Sequence, residues 1–409
     1  MIDGRRLELL SPAGDMEKLR AAARFGADAV YVGGPKLQLR AGATGFSLEA
    51  VAEAAEYLHD LGKRLYVAAN AFMNNDEAAT AGDYARHLRD AGADALIISD
   101  LGAIAAVREA VPEIEVHVST QANCLNDRAA RVYYDMGASR VVLGREMTLD
   151  EIARLRDRTP PELELEAFVH GAMCMAYSGR CMISAYLTGR SANRGGCAQS
   201  CRWRYSLMEE TRPGEYFPVS EDGNGTAILS SCDLNCLSFM DRLMDAGVTS
   251  FKIEGRMKSA FYVATVTGTY RRRIDAITSG TADDEQLMLL QRELNAVSHR
   301  EYASGFYFGE MKRHAPDAGV YMQDCAFVGT VLERLPGGRV RVEQRNRVRA
   351  GDVIEVVSPN ALGLRFAAAN MTDADGQAID VAAVPMMQFD MDAPDTVAAG
   401  DMLRIRQKA

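Results

Sequence analysis

The first 254 residues repeat one pattern, in which an amphipathic stretch is followed by a glycine and then by a short apolar run. The amphipathic stretches predict helices, and each glycine stands where a helix ends in a left-handed cap. The apolar run that follows is typical of a strand buried on both faces. Five such runs cover residues 26–32, 62–67, 92–98, 137–143 and 247–253, and three further apolar runs cover residues 7–10, 114–118 and 163–169.

Eight buried strands that alternate with helices predict an α/β fold, because parallel strands need crossover helices. Eight units are also the number that closes a (β/α)8 TIM-like barrel, which is the architecture we expect. A doubly wound open sheet is the alternative, since spacing along the chain does not show closure. No Gly-x-Gly-x-x-Gly turn follows the first strand, as it does in dinucleotide-binding open sheets.

The pattern changes after a helix predicted at residues 284–297. From about residue 317 the chain consists of short β segments, at 325–332, 339–342, 352–357 and 402–405. Short strands entered from a glycine turn are typical of small antiparallel barrels. We therefore expect two domains, a TIM-like barrel over residues 1–312 and a small antiparallel β-barrel over residues 313–409.

A long segment, about residues 171–228, separates the seventh and eighth predicted strands and far exceeds the usual length of a βα loop. Thiolates bind zinc or iron-sulfur clusters, and the irregular spacing of the cysteines in this region favours a cluster over structural zinc. Buried reduced thiols are the alternative. Six of the eight cysteines lie here or just beyond: Cys174, Cys181, Cys197, Cys201, Cys232 and Cys236.

Composition adds one contrast to this picture. The chain carries a formal charge of −10, which disfavours a nucleic-acid partner, yet residues 167–208 contain no Asp or Glu and five arginines. Trp203, the sole tryptophan, lies in this basic segment, where it could stack on a base or pack in a core. No apolar run of about 18 residues occurs, so we expect a cytoplasmic protein without a membrane partner.

Polar residues at the carboxyl ends of barrel strands are the natural candidates for a site. Glu166 and Glu254 stand in or at the end of buried strands, where each is either catalytic or part of a structural ion pair with Lys252, Arg256 or Arg180. His170 could support the strand end by hydrogen bonding or act as a base for Cys174. The strand-end candidates are Ser11, Asn70, Asp100, Ser119, Gln121, Arg145, His170, Glu254 and Arg256.

Residues 166–184, which contain Cys174 and Cys181, resemble the signature of the collagenase-like peptidase family U32, whose catalytic type is unassigned. The resemblance continues through residues 190–203 and 251–259 and includes the opening residues 8–14. Within that family the pattern is most similar to the tRNA-hydroxylating members. These are implicated in the prephenate-dependent conversion of the tRNA wobble uridine to 5-hydroxyuridine.

The resemblance implies a [4Fe-4S] cluster held by four of the cysteines, with Cys236 as a reserve fourth ligand and Cys232 as a structural residue. If Asp233 caps the following helix, Cys236 lies in its first turn, where the helix dipole favours a thiolate. The implied ligands are Cys174, Cys181, Cys197 and Cys201.

The resemblance also implies two partners, tRNA and prephenate, and leaves the oligomeric state open. Prephenate is a dicarboxylate, and arginines bind carboxylates through paired hydrogen bonds. The expected catalytic residues are Glu166, His170 and Glu254. The expected substrate-binding residues are Arg145, Arg180, Arg194, Lys252, Arg256 and Trp203.

Three alternatives to tRNA hydroxylation remain. One is a peptidase of the U32 type, although neither a His-Glu-x-x-His motif nor a Gly-x-Ser-x-Gly elbow occurs in the chain. The second is a factor for hydroxylation of a ribosomal RNA cytidine. The third is an RNA-binding factor without catalytic activity.

Overall fold

The computed structural model describes residues 6–39, 45–174, 179–202, 207–208, 216–217, 220–222, 225–227, 232–309 and 321–407. The strands up to residue 253 are β1 (Glu8–Pro12), β2 (Ala29–Gly33), β3 (Arg64–Ala69), β4 (Ala95–Ile98), β5 (Glu115–Val118), β6 (Arg140–Val142), β7 (Glu164–Ala172), β8 (Leu207–Met208), β9 (Tyr216–Phe217), β10 (Ser220–Asp222), β11 (Gly225–Ala227), β12 (Asp233–Asn235) and β13 (Ser250–Ile253).

Eight of these strands form a closed parallel barrel. Strands β1 to β7 follow one another around the ring, and β13 pairs with both β7 and β1, which closes it. Strand β12 lies outside the ring and pairs antiparallel with the end of β7. The predicted barrel is therefore confirmed, and its strands are the eight that the apolar runs indicate.

Helices connect the barrel strands and cover their outer face. The five glycines predicted to cap helices all have positive φ, between 67° and 101°. None of the helices among the described residues has both the length and the apolar character needed to span a membrane. The helices are α1 (Met16–Arg24), α2 (Leu48–Asp60), α3 (Asn75–Ala79), α4 (Ala81–Asp90), α5 (Leu101–Ala110), α6 (Asp127–Asp135), α7 (Leu149–Asp157), α8 (Ile183–Thr188), α9 (Met240–Asp245), α10 (Ala260–Ser279) and α11 (Asp284–Leu294), with short 3-10 turns at Thr120–Ala122, Ala192–Arg194, Ser200–Arg202 and Leu237–Phe239.

The barrel interior is polar at the amino ends of its strands. Arg140, at the start of β6, is only 2% exposed. Its guanidinium donates hydrogen bonds to Glu8 Oε1 at 2.6 Å, to Glu166 Oε2 at 3.0 Å and to Ser250 Oγ at 3.1 Å. Such charges are tolerated inside a protein only when they are paired. We call this group the Arg140 network: Glu8, Arg140, Glu164, Glu166, Ser250 and Lys252.

Strand β14 (Tyr302–Ala303) pairs parallel with β12, beside the barrel. The strands after it build an antiparallel domain with its own apolar core, which includes Val342 and Phe389. Seven of them form one sheet in the order β19-β18-β23-β15-β16-β22-β20, so the predicted fold class is confirmed in both parts. The strands of this domain are β15 (Cys325–Leu335), β16 (Arg339–Gln344), β17 (Val348–Arg349), β18 (Val353–Val357), β19 (Arg365–Ala367), β20 (Thr372–Asp373), β21 (Val381–Ala382), β22 (Gln388–Asp392) and β23 (Met402–Arg406).

Candidate active site at the barrel mouth

A cavity of about 630 Å³, partly open to solvent, lies at the carboxyl ends of the barrel strands. This is the end at which TIM-like barrels place their sites. Six of the nine strand-end candidates line it: Asn70, Ser119, Gln121, Arg145, Glu254 and Arg256.

The other three strand-end candidates have local structural partners. The Ser11 hydroxyl lies 2.7 Å from that of Thr267 in α10, and both are buried. Asp100 caps α5, since its Oδ1 accepts a hydrogen bond from the Ala103 amide at 2.9 Å. His170 is held among aromatic rings behind the strand end.

Three cationic side chains line the cavity. The Lys252 ammonium lies 2.7 Å from Glu166 Oε1 and 4.5 Å from the centre of the Tyr31 ring, so its position is fixed by both contacts. Arg256, which is 5% exposed, donates a hydrogen bond to Gln38 Oε1 at 2.9 Å. Among the described residues that line the cavity, these two and Arg145 make three positive charges against one carboxylate, that of Glu254, a balance that favours an anionic ligand.

Arg145 connects the cavity to the first cysteine. Burial lowers the pKa of Arg145, but a hydrogen bond and the charge of Cys174, together with the charge of Glu254, more than offset this and raise the pKa overall. Its guanidinium carbon also lies 5.5 Å from the centre of the Phe168 ring. Cys174 and Glu254 are therefore both within the electrostatic reach of one fixed arginine.

A close backbone contact fixes Glu254 beside β7. Gly171 has a φ of 108°, and a Cβ placed there would stand 2.5 Å from the carbonyl oxygen of Glu254. The Glu254 amide in turn donates to the His170 carbonyl oxygen at 2.9 Å. Glycine is required here for both conformation and space, so that the ends of β7 and β13 can approach.

Glu166 lies below the cavity and is part of the Arg140 network. It is fully buried, and burial raises its pKa, but Lys252 and Arg140 together lower the pKa below its usual value. The carboxylate is therefore charged, and its role in this structure is to hold Lys252. Lys252 was a predicted partner, whereas Arg140 was missed, although a charged residue inside the apolar run 137–143 was a usable signal.

His170 is neutral and enclosed by tyrosines. Burial lowers its pKa to about 3. Its Nδ1 lies 3.3 Å from the Tyr270 hydroxyl oxygen, and its ring packs against Tyr262, Tyr270 and Tyr302 at centroid distances of 5.3 to 5.9 Å. The described residues that line the cavity do not include it. Its contacts are those of a packing residue behind the strand end.

Residues 179–202, the longest described part of the cysteine-rich segment (residues 171–228), contact the barrel mouth. Gly179 stands so close to the Gln121 carbonyl oxygen that an added Cβ would be 2.1 Å away. The Asn193 carbonyl oxygen accepts a hydrogen bond from the Phe72 amide at 3.1 Å, next to the end of β3. The predicted substrate residue Arg194 instead forms a bidentate pair with Glu77, at 2.9 and 3.1 Å.

The segment is also folded on itself. The Asn193 side chain bonds to both backbone groups of Cys181, accepting at 3.3 Å and donating at 3.0 Å. The Gln199 amide donates a hydrogen bond to the Cys197 sulfur at 3.4 Å. Cys181, Cys197 and Cys201 are partly exposed and Cys174 is exposed.

The donors present fit an iron-sulfur cluster in chemical type, because residues 167–208, which contain the four predicted ligands, supply thiols and no carboxylates. Among the described residues, no three Cys, His, Asp or Glu side chains are gathered closely enough to form a metal site. The four predicted ligands therefore lie in one stretch of the chain, residues 174–201, without forming a group of three among the described residues.

The remaining predicted residues have varied surroundings. Arg180 is exposed at the start of the segment, and Trp203 lies outside the described residues. The expectation that Asp233 caps a helix is wrong. Asp233 begins β12, and its Oδ1 accepts a hydrogen bond from Arg300 Nη2 at 2.7 Å. Cys232 is buried, as expected of a structural residue.

Cys236, the reserve ligand, lies in the main apolar core with no exposed surface. Burial alone raises the pKa of its thiol well above the usual range. Its sulfur lies 3.9 Å from the Phe168 carbonyl oxygen. These surroundings favour a neutral thiol at Cys236.

Comparison with known proteins gives three informative relatives. The "tRNA hydroxylation protein P1" of Bacillus subtilis is 35% identical over 415 residues, which cover 99% of this chain and 97% of that protein. A 23S rRNA 5-hydroxycytidine synthase of Escherichia coli is 40% identical over 69% of this chain and 41% of its own length. A "Collagenase" of Porphyromonas gingivalis is 35% identical over 86% of each chain.

Family profiles match nearly the whole chain. That of peptidase family U32 matches residues 14–316, and that of the family's C-terminal domain matches residues 323–404. The first match includes seven of the eight barrel strands, the residues that line the cavity and the cysteine-rich segment, and the second includes most of the antiparallel sheet. The chain therefore belongs to peptidase family U32.

Proposed function

We propose that the protein is an iron-sulfur enzyme that hydroxylates the tRNA wobble uridine to 5-hydroxyuridine, with prephenate as its co-substrate. The observation that carries the proposal is the cationic cavity at the barrel mouth, whose lining includes Cys174 of the cysteine-rich segment. A relative of almost equal length is named for tRNA hydroxylation, and that name supports the choice of reaction.

The cavity is suited to a small dicarboxylate. Arg145, Lys252 and Arg256 would bind the two carboxylates, and the arginines would do so through paired hydrogen bonds. Glu254 is the carboxylate that faces the bound molecule, so it is placed to accept a proton at a side-chain oxygen. Glu166 would act indirectly, by holding the Lys252 ammonium in place through their contact at 2.7 Å.

A [4Fe-4S] cluster would be held by Cys174, Cys181, Cys197 and Cys201, and when bound it supplies one-electron chemistry. Asn193 would orient Cys181 through the two hydrogen bonds to its backbone. Anaerobically purified protein should be brown and contain about four irons per chain. Cys201→Ala should lose most of this iron and Cys236→Ala should retain it; the reverse result would make Cys236 the fourth ligand.

Nucleoside mass spectrometry of tRNA tests the reaction. A strain that lacks this gene and any redundant enzyme should lose 5-hydroxyuridine and its derivatives, and the wild-type gene should restore them. Arg256→Met should fail to restore them, whereas Arg86→Met, which changes an exposed arginine far from the cavity lining, should succeed. If the deletion strain keeps its tRNA nucleosides but loses 5-hydroxycytidine from ribosomal RNA, the result would refute tRNA hydroxylation and favour hydroxylation of ribosomal RNA.

Peptide hydrolysis is the competing activity, because a relative is named as a collagenase. A cysteine peptidase needs a base beside its nucleophile. Here Cys174 is hydrogen-bonded to Arg145, which remains protonated, and His170 is enclosed by tyrosines. We therefore expect metal-free protein to leave gelatin intact; cleavage that is lost in Cys174→Ser would favour the peptidase.

A further inference from the structure

The short helix α8 has its polar side buried and its apolar side in solvent. Ser184 is 2% exposed; its hydroxyl donates to the Arg190 carbonyl oxygen at 2.7 Å and accepts from the Ala198 amide at 2.9 Å. On the other side Met182 is 70% exposed and Tyr186 is 87% exposed. Surface helices normally show the opposite arrangement. An apolar face that is turned outward in this way indicates a binding surface.

This surface lies at the mouth of the cavity. The segment that carries α8 contacts the barrel at Gln121, which follows β5, and at Phe72, which follows β3. The ion pair between Arg194 and Glu77 adds a third contact on the β3 side. The chain just before and just after α8 is therefore held near the rim of the cavity.

The charge around α8 is positive. Arg180 and Arg190 flank the helix and are exposed, and neither forms an ion pair with another described residue. No acidic residue occurs between residues 167 and 208. Exposed arginines that flank an exposed aromatic ring in the sequence are the combination that binds unpaired nucleotides, through phosphate contacts and base stacking.

We propose that Tyr186 is a stacking platform for an unpaired RNA base, with Met182 and Leu187 beside it and Arg180 and Arg190 contacting the flanking phosphates. This inference rests on the RNA substrate proposed above and names the surface that would hold it. Bases inside a duplex are stacked on each other, so the platform selects a single-stranded loop over paired RNA.

Fluorescence anisotropy of the full-length, anaerobically purified protein tests the proposal. The probes are a labelled RNA hairpin with a single-stranded loop and a fully paired RNA of the same length. Tyr186→Ala should weaken hairpin binding about 5- to 150-fold, the range found for loss of one stacked base. Tyr186→Trp should bind within about twofold of wild type, and Tyr186→Leu should behave like the alanine variant.

Two further variants sharpen the result. Replacing both Arg180 and Arg190 by Ala should make the slope of the logarithm of the binding constant against the logarithm of the salt concentration less steep. The slope should change by about 1 for each phosphate contact that is lost. Phe308→Ala is the matched control. Phe308 is a 49% exposed ring with the guanidinium carbon of Arg242 4.6 Å from its centre, and it lies outside residues 167–208. Its affinity for the hairpin should equal that of wild type.

The outcomes separate this inference from the proposed function. If wild type binds neither RNA, the proposed function fails and the platform fails with it. If wild type binds the hairpin and both Tyr186→Ala and Tyr186→Leu bind equally well, the platform is refuted and the proposed function stands. If Tyr186→Ala abolishes self-association without changing RNA affinity, the surface binds a second copy, and the proposal is again refuted.

Discussion

Replacement of Glu8 by Gln tests whether the Arg140 network stabilises the barrel. Glu8 Oε1 accepts from Arg140 at 2.6 Å and from Ser250 at 3.0 Å, and Oε2 accepts from the Tyr66 hydroxyl at 2.6 Å. Glutamine preserves the size of the side chain and one acceptor but removes the charge. The variant therefore isolates the electrostatic contribution of one buried carboxylate.

The size of the effect follows from the pKa of Glu8. Burial raises this pKa, but Arg140 and the hydrogen bond from Tyr66 more than offset it and lower the pKa from 4.5 to about 2. Such a carboxyl contributes about 3 kcal/mol to the free energy of unfolding. Because the folded pKa is the lower one, this contribution is complete above pH 4.5 and is lost as pH falls through about 2. At about pH 3.5 roughly 2 kcal/mol remains.

Urea unfolding of wild type and Glu8→Gln, followed by helical circular dichroism, measures the difference. All the described α-helices lie in the first 294 residues, so this signal reports the barrel. Glu53→Gln is the control, since its exposed pair with Arg20 should change stability by less than about 1 kcal/mol. A cost for Glu8→Gln below about 1 kcal/mol, or one that is equal at pH 7 and at about pH 3.5, would refute the reasoning.

Three other substitutions have defined outcomes. Gly171→Ala combines a φ of 108° with a clash against the Glu254 carbonyl oxygen, so unfolding should become easier by about 1–3 kcal/mol in a thermal melt. Arg256→Lys keeps the charge but loses the planar fork, so KM for the anionic co-substrate should rise about tenfold in a steady-state assay; an unchanged KM would contradict a role in binding. Glu77→Gln breaks the surface pair with Arg194, so thermal stability should stay within about 1 kcal/mol while trypsin cleaves the cysteine-rich segment faster; equal cleavage rates would show that the pair does not anchor it.

The fold was predictable because it depends on periodicity. Each apolar run of the first 254 residues corresponds to a barrel strand, since buried parallel strands leave an unbroken hydrophobic signal. The Arg140 network was less accessible to this reasoning. Side chains two residues apart in a strand, such as those of Glu164, Glu166 and Phe168, lie on the same face of the sheet. This spacing does not show whether that face is the interior or the exterior of the barrel.

The candidate site was predictable only where it follows from strand topology. Asn70, Ser119 and Glu254 line the cavity because each comes directly after a strand, and all strand ends of a parallel barrel meet. The surroundings of His170 could not be predicted in this way, because its tyrosine neighbours come from positions 90 or more residues away. The exposed apolar face of α8 was equally hidden, since a six-residue helix has too little periodicity to show which side is buried.

The barrel is closed by β13, which is the last of its eight strands to be synthesised. Until residue 250 has been made, β1 and β7 are both open sheet edges, which are the sites where chains aggregate. The residues of the contact between Glu8 and Ser250 are 242 positions apart, so closing the ring costs the chain conformational entropy. The cysteine-rich segment lies between β7 and β13 in the chain, so the whole of it must be synthesised before the ring can close. The barrel therefore reaches its closed form only after that segment has left the ribosome.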